Sequence, residues 1–110
     1  MSFDMEKLMQ QAAQMQEQMQ RMQQEAENET AEASAGGGLV KVTANGAGKV
    51  LSIAISKDAI DPDDPEALAD LVLAGVNEAL RSAQAKVEAK AQELASKLDL
   101  GSLGIPGLGG

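Results

Sequence analysis

Hydrophobic residues recur along this chain with two different periods, and the changes of period divide it into three parts. From residue 4 to about 28, Met5, Leu8, Ala12, Met15, Met19, Met22 and Ala26 step by alternating threes and fours. That spacing predicts a helix carrying an apolar a/d seam. Gln fills positions 10, 11, 14, 16, 18, 20, 23 and 24, no Gly or Pro interrupts the run, and Asp4 is placed to cap it. From 39 to 56 the period falls to two. Val40, Val42 and Ala44 alternate with Lys41 and Thr43, and Leu51, Ile53 and Ile55 with Ser52, Ala54 and Ser56. Asn45-Gly46, with Gly48 behind, suits a tight turn between strands at 39–45 and 48–56. From Pro65 to about Leu98 the helical period returns, over roughly 50 Å at 1.5 Å per residue.

Leu68, Val72, Val76, Leu80, Ala83, Val87, Leu94 and Leu98 hold one face of this second helix. Leu71, Leu73 and Ala79 widen the apolar arc in its first half, where it is expected to pack on the sheet. Beyond Ala83 only a narrow stripe remains, so the second half projects past the sheet or packs on a second subunit. Gly75 is costly inside a helix, and close approach of another backbone would explain it. Two strands alone are marginal in water, so the flanking helices are expected to cover one face.

Residues 30–34 alternate weakly, and their pattern alone fits a loop, a frayed helix end or an outer strand. The triple glycine at 36–38 precedes a strand, so it reads as a turn and not as a phosphate-cradling loop, which needs a helix N-terminus behind it. The acidic run from Asp58 to Glu66 lacks the spacing of a calcium loop. It reads as a turn and a helix start, with Asp64 as cap, Pro65 at the first helical position and Glu66 facing the helix dipole. Residues 101–110 hold five Gly and one Pro, and are expected to form a flexible tail.

Composition narrows the function. The chain of 110 residues suits one small domain, and its single aromatic residue, Phe3, leaves the core to Leu, Val, Ile, Ala and Met. With no Cys and no His, and no nucleophile beside an evident base, an enzyme is not expected, nor is a metal or cofactor. No apolar run has membrane-spanning length, and a cytoplasmic protein without membrane contact is the expectation. The net charge of −8 opposes nucleic-acid binding unless the cations are concentrated locally.

The seam Met5, Leu8, Ala12, Met15, Met19 and Met22 is long for so small a chain to bury, and a symmetric dimer would cover it most simply. Lys7 and Arg21 lie two heptads apart, away from the seam. On the second helix Lys86, Lys90 and Lys97 share a face, Arg81 lies elsewhere, and Glu93 and Lys97 form an i,i+4 pair. The lysine row suits either a solvated flank or a stripe facing phosphates.

Leu8-Met9-Gln10-Gln11-Ala12 with Met15-Gln16, Gly38-Leu39-Val40-Lys41-Val42-Thr43-Ala44-Asn45-Gly46, Leu68-Ala69-Asp70-Leu71-Val72 and Val76-Asn77-Glu78-Ala79-Leu80 together resemble the YbaB/EbfC family of bacterial nucleoid-associated proteins. The resemblance implies an α+β domain over residues 1–100: helix, three-stranded antiparallel sheet, long helix. It makes 30–34 the third strand, and implies a symmetric homodimer with projecting helices. It also implies binding of double-stranded DNA with little sequence preference, a change in DNA conformation, and a place in the nucleoid with influence on gene expression. The chain departs from the family where Gln10, Gln18 and Ser82 replace residues that are often basic. The cations left as candidate DNA contacts are Lys7, Arg21, Arg81, Lys86, Lys90 and Lys97. A second reading is an acidic, dimeric adaptor or chaperone-like module, gripping a protein partner between its helices.

Overall fold

The computed structural model describes residues 4–101, and the tail expected from 101 onward lies outside these except for Gly101. The elements run α1 (Met5–Asn28), β1 (Thr30–Ala35), β2 (Val40–Asn45), β3 (Val50–Ile55), a single 3-10 turn at Lys57–Ala59, and α2 (Pro65–Gly101). The strands form one antiparallel sheet in the order β1-β2-β3. Residues 30–35 are thus the outer strand that local propensity left open. Asp4 Oδ1 accepts the Lys7 N–H at the start of α1, and Asp64 Oδ1 accepts the Ala67 N–H at the start of α2.

Register explains where the core sits. Ala31, Ala33 and Ala35 on β1 face Ala44, Val42 and Val40 on β2, and these in turn face Val50, Ile53 and Ile55 on β3. A bulge between Thr43 and Ala44 gives β3 one extra residue, Leu51, and keeps the inner row in phase. Helix α2 lies across the inner face of β1 and β2 and barely touches β3. It comes close because Gly75, Ala79 and Ala83, four residues apart, present small side chains to the sheet. A methyl group on Gly75 would lie 2.9 Å from Val42 Cγ2. The close approach that the sequence suggested is therefore to a strand's valine. Leu68, Val72, Val76 and Leu80, expected at the centre of the packed face, are half-buried along its margin, and Leu73 is 60% exposed.

The resulting core is thin. Among the described residues the buried apolar ones are five alanines and Val40 and Val42. Only α2 covers the sheet. Helix α1, expected to share that role, has no buried residue and projects from the sheet with its seam exposed: Met5, Leu8, Met15, Met19 and Met22 are 47–68% accessible. The seam is not part of this chain's core, because α1 leaves the sheet at its C-terminal corner instead of turning back across it.

The turns follow from local chemistry. Gly36, Gly37 and Gly38 all have positive φ, a run that no L-residue could replace cheaply between β1 and β2. In the β2–β3 turn only Gly48 has positive φ. Gly46 is there for space and Asn45 for hydrogen bonds: its buried Oδ1 accepts from both Ala47 N and Lys49 N, each at 3.0 Å.

Candidate nucleic-acid interface

The base of α1, the β2–β3 turn and the middle of α2 meet at one corner. Gly46 N donates to Ala26 O and Glu29 O, both at 2.9 Å, fastening the last turn of α1 to the hairpin. Val87 of α2 packs on Gly46, leaving no room there for a methyl group, and the Ala83 carbonyl lies alongside. Two lysines complete the corner. Lys86 Nζ donates to the Thr30 carbonyl at 2.7 Å, and Lys90 Nζ to Glu29 Oε2 at 3.0 Å. The Glu29 carboxylate, first by its hydrogen bond and then by its charge, raises the Lys90 ammonium above its usual value. From this corner α1 and the second half of α2 diverge. A groove of about 300 Å3 lies between them, lined by Met22, Ala26, Val87, Ala91 and Leu94 and rimmed by Glu25, Glu29 and Lys90.

The six candidate cations therefore fall into two groups. All four on α2 have acceptors within the chain: Lys86 and Lys90 at the corner, Arg81 with Glu78, and Lys97 with Glu93 at 3.6 Å. Lys7 and Arg21 on α1 have no ion pair among the described residues. Fourteen positions apart, they point within about 40° of one another and stand roughly 21 Å apart along the helix. The sequence reading passed over Lys41, Lys49 and Lys57, which are exposed and also carry no ion pair among the described residues. Lys41 stands on the outer face of the sheet beside Ser34 and Ala54. Strand alternation placed it opposite Val40 and Val42, and that was the available signal.

The acidic run serves the backbone. Asp61 Oδ1 accepts Asp63 N at 2.9 Å, and Asp64 caps α2. The larger uncovered feature is apolar. Leu51, Ile53 and Ile55 on β3 are 42–48% exposed, on the same face as the core but beyond the reach of α2. The first half of α2 also carries a shallow depression, lined by Pro65, Leu68, Ala69, Val72, Leu73 and Val76. β3 is also an edge strand, so its outward backbone groups are unpaired within the sheet.

Comparison with known proteins agrees with this architecture. Residues 1–98 match the model of the YbaB/EbfC DNA-binding family. A nucleoid-associated protein of Pelotomaculum thermopropionicum is 46% identical over 108 residues, 98% of each chain. One from Acetivibrio thermocellus is 48% identical over 105 residues, covering 96% of this chain and 89% of its own. The crystal structure of the uncharacterized protein HP0035 from Helicobacter pylori superposes with a TM-score of 0.62. At 21% identity over 88% of this chain and 98% of that one, it shares the fold.

Proposed function

Because this chain belongs to the YbaB/EbfC DNA-binding family, we infer that it is a nucleoid-associated protein that binds double-stranded DNA through the phosphate backbone, with little sequence preference. The carrying observation is α1 itself. It is exposed along its length and holds Lys7 and Arg21 on one face without competing carboxylates in contact. Such an arm can lay two cations along a duplex although the whole chain is acidic, because screening confines a repulsive charge to about 8–10 Å. Backbone contacts position a protein without reading bases, and a change in DNA conformation follows from holding the duplex at separated points.

The protein acts as a homodimer in this reading, formed on the face where β3 meets the flank of α2. A core whose largest fully buried side chains are Val40 and Val42 is small for an independent domain. The exposed row Leu51, Ile53 and Ile55 is the kind of apolar surface that a second copy covers symmetrically, and Leu73 on α2 is exposed as well. Ile53→Glu would leave a charge in that interface, and sedimentation should then report a monomer. An unchanged dimer would place the interface elsewhere, the α1 seam being the other uncovered surface.

Fluorescence anisotropy on duplex DNA across a salt series tests the DNA contacts. Four phosphate contacts, two from each arm of a dimer, give a slope of log K against log salt near −3.6, at about 0.9 per contact. Lys7→Ala with Arg21→Ala should remove most of that slope. Absence of binding at low salt from an intact dimer would defeat the functional reading, and an unchanged slope in the double variant would defeat this choice of residues.

A further inference from the structure

We propose that Lys86 and Lys90 are positioning residues, which set the angle of the α1 arm from the corner beneath it instead of touching phosphate themselves. The proposal builds on the DNA-binding reading but concerns the arm's geometry, which exists without DNA. Helix α1 buries nothing, so packing along its length does not fix its direction. What joins it to the rest of the chain lies at its last turn and just beyond. Gly46 N holds the Ala26 and Glu29 carbonyls, Lys90 holds the Glu29 carboxylate, and Lys86 holds the Thr30 carbonyl one residue further on. The hydrogen bonds from Gly46 hold one side of the corner, and the two lysines reach it from α2, the element that forms the other arm.

Leverage makes this corner matter. Lys7 lies 22 residues before Glu29, or about 33 Å along the helix. A tilt of about 10° at the corner would carry Lys7 through roughly 6 Å, close to two nucleotide steps of 3.4 Å along one strand. An exposed ion pair contributes little to stability. Its effect here appears as angle, multiplied by the arm's length.

The two roles predict opposite signs for one substitution. If Lys90 contacts phosphate, Glu29→Met frees it and removes a negative charge, so DNA binding tightens. If Lys90 holds the arm, Glu29→Met loosens α1 and binding weakens, by the several-fold expected when the arm's cations fall out of register. The direct readout is arm spread without DNA. Because the chain has no cysteine, Gln14→Cys and Gln92→Cys give a clean pair of spin-label sites, one on each arm. The labelled chain is diluted with unlabelled protein so that only within-chain distances are read. The native corner should give one narrow distance distribution, and Glu29→Met or Lys86→Met with Lys90→Met should broaden or shift it. Lys90→Arg should restore it, while circular dichroism shows every variant folded. A distribution unmoved by Glu29→Met and by the double lysine variant, or tighter DNA binding by Glu29→Met, overturns the proposal. If the native protein binds no DNA, the functional reading fails, and the distance measurement still decides the corner.

Discussion

Adding one methyl group at Gly46 tests the corner more severely than removing any side chain. An ideal Cβ there overlaps Val87 Cγ2, stands 2.9 Å from the Ala26 carbonyl oxygen and 3.5 Å from that of Ala83. Valine is stiff at χ1, and two of the three obstacles are backbone, so the methyl group cannot be accommodated by a rotamer change. Overpacking of this kind costs about 1–3 kcal/mol. If the hairpin backs away, the Gly46 N–H also weakens its bonds to Ala26 and Glu29, adding about 0.5–1.5 kcal/mol. Gly46→Ala should therefore cost about 2–4 kcal/mol, a large part of the roughly 5–15 kcal/mol of a small domain. Thermal melts followed at 222 nm should show a fall of about 8–32 °C, taking 4–8 °C per kcal/mol. Protein concentration is held fixed, because dimer formation couples to the melt. Val87→Ala alone opens a small gap, but combined with Gly46→Ala it removes the side-chain overlap and leaves the carbonyl contact. The double variant should thus be more stable than the sum of the two losses by about 1 kcal/mol or more. A Gly46→Ala protein within about 0.5 kcal/mol of the native one, or strict additivity with Val87→Ala, would refute this account of the corner.

Asn45→Ala leaves the Ala47 and Lys49 N–H groups without their shared acceptor in a part-buried turn, and chemical denaturation should show a loss of about 1–3 kcal/mol. The Lys90–Glu29 pair has a pH signature. Lys90 is raised from 10.5 in the folded chain, so its contribution is full below that pH and is lost as pH climbs through the folded value. Melts of the native protein and Lys90→Met should differ by a constant gap between pH 7 and 9, and the gap should narrow above 10.5; a gap already gone at pH 8 contradicts the pairing.

The order of elements was legible because each part of the chain has a clean period, and the hairpin because Val40 to Ile55 alternate on either side of Asn45-Gly46. The outer strand was not: Thr30 to Ala35 is poor in β-branched residues and becomes a strand because β2 offers it a partner edge. In α2 the large residues gave the packed side but not its centre. Its stripe of Leu and Val does pack against the core through Leu68, Val72 and Val76, but only partly buried, whereas the buried positions on α2 are Gly75, Ala79 and Ala83. The i, i+4 spacing of these small residues was the missed signal. The cations showed the same limit. Lys86, Lys90 and Lys97 form a row in the sequence, and the Glu93 partner of Lys97 was legible there as an i,i+4 pair. Thr30 and Glu29, the acceptors of Lys86 and Lys90, lie more than fifty residues away and were invisible to any helical wheel.

The separation of Lys90 from Glu29, 61 residues, also orders events during synthesis. At about 5–20 residues per second, α1 is complete some 3–12 s before Lys86 and Lys90 exist, and only the Gly46 bonds can fasten it earlier. Throughout that interval its methionine seam has no partner within the chain. The composition of α1 suits the wait: it contains no valine, isoleucine or aromatic residue, and Glu17 and Arg21 interrupt its glutamines. It therefore lacks the β-forming segments by which nascent chains find one another. The arm is the first helix to be made, and its sequence lets it stand alone until Lys86 and Lys90 complete the corner.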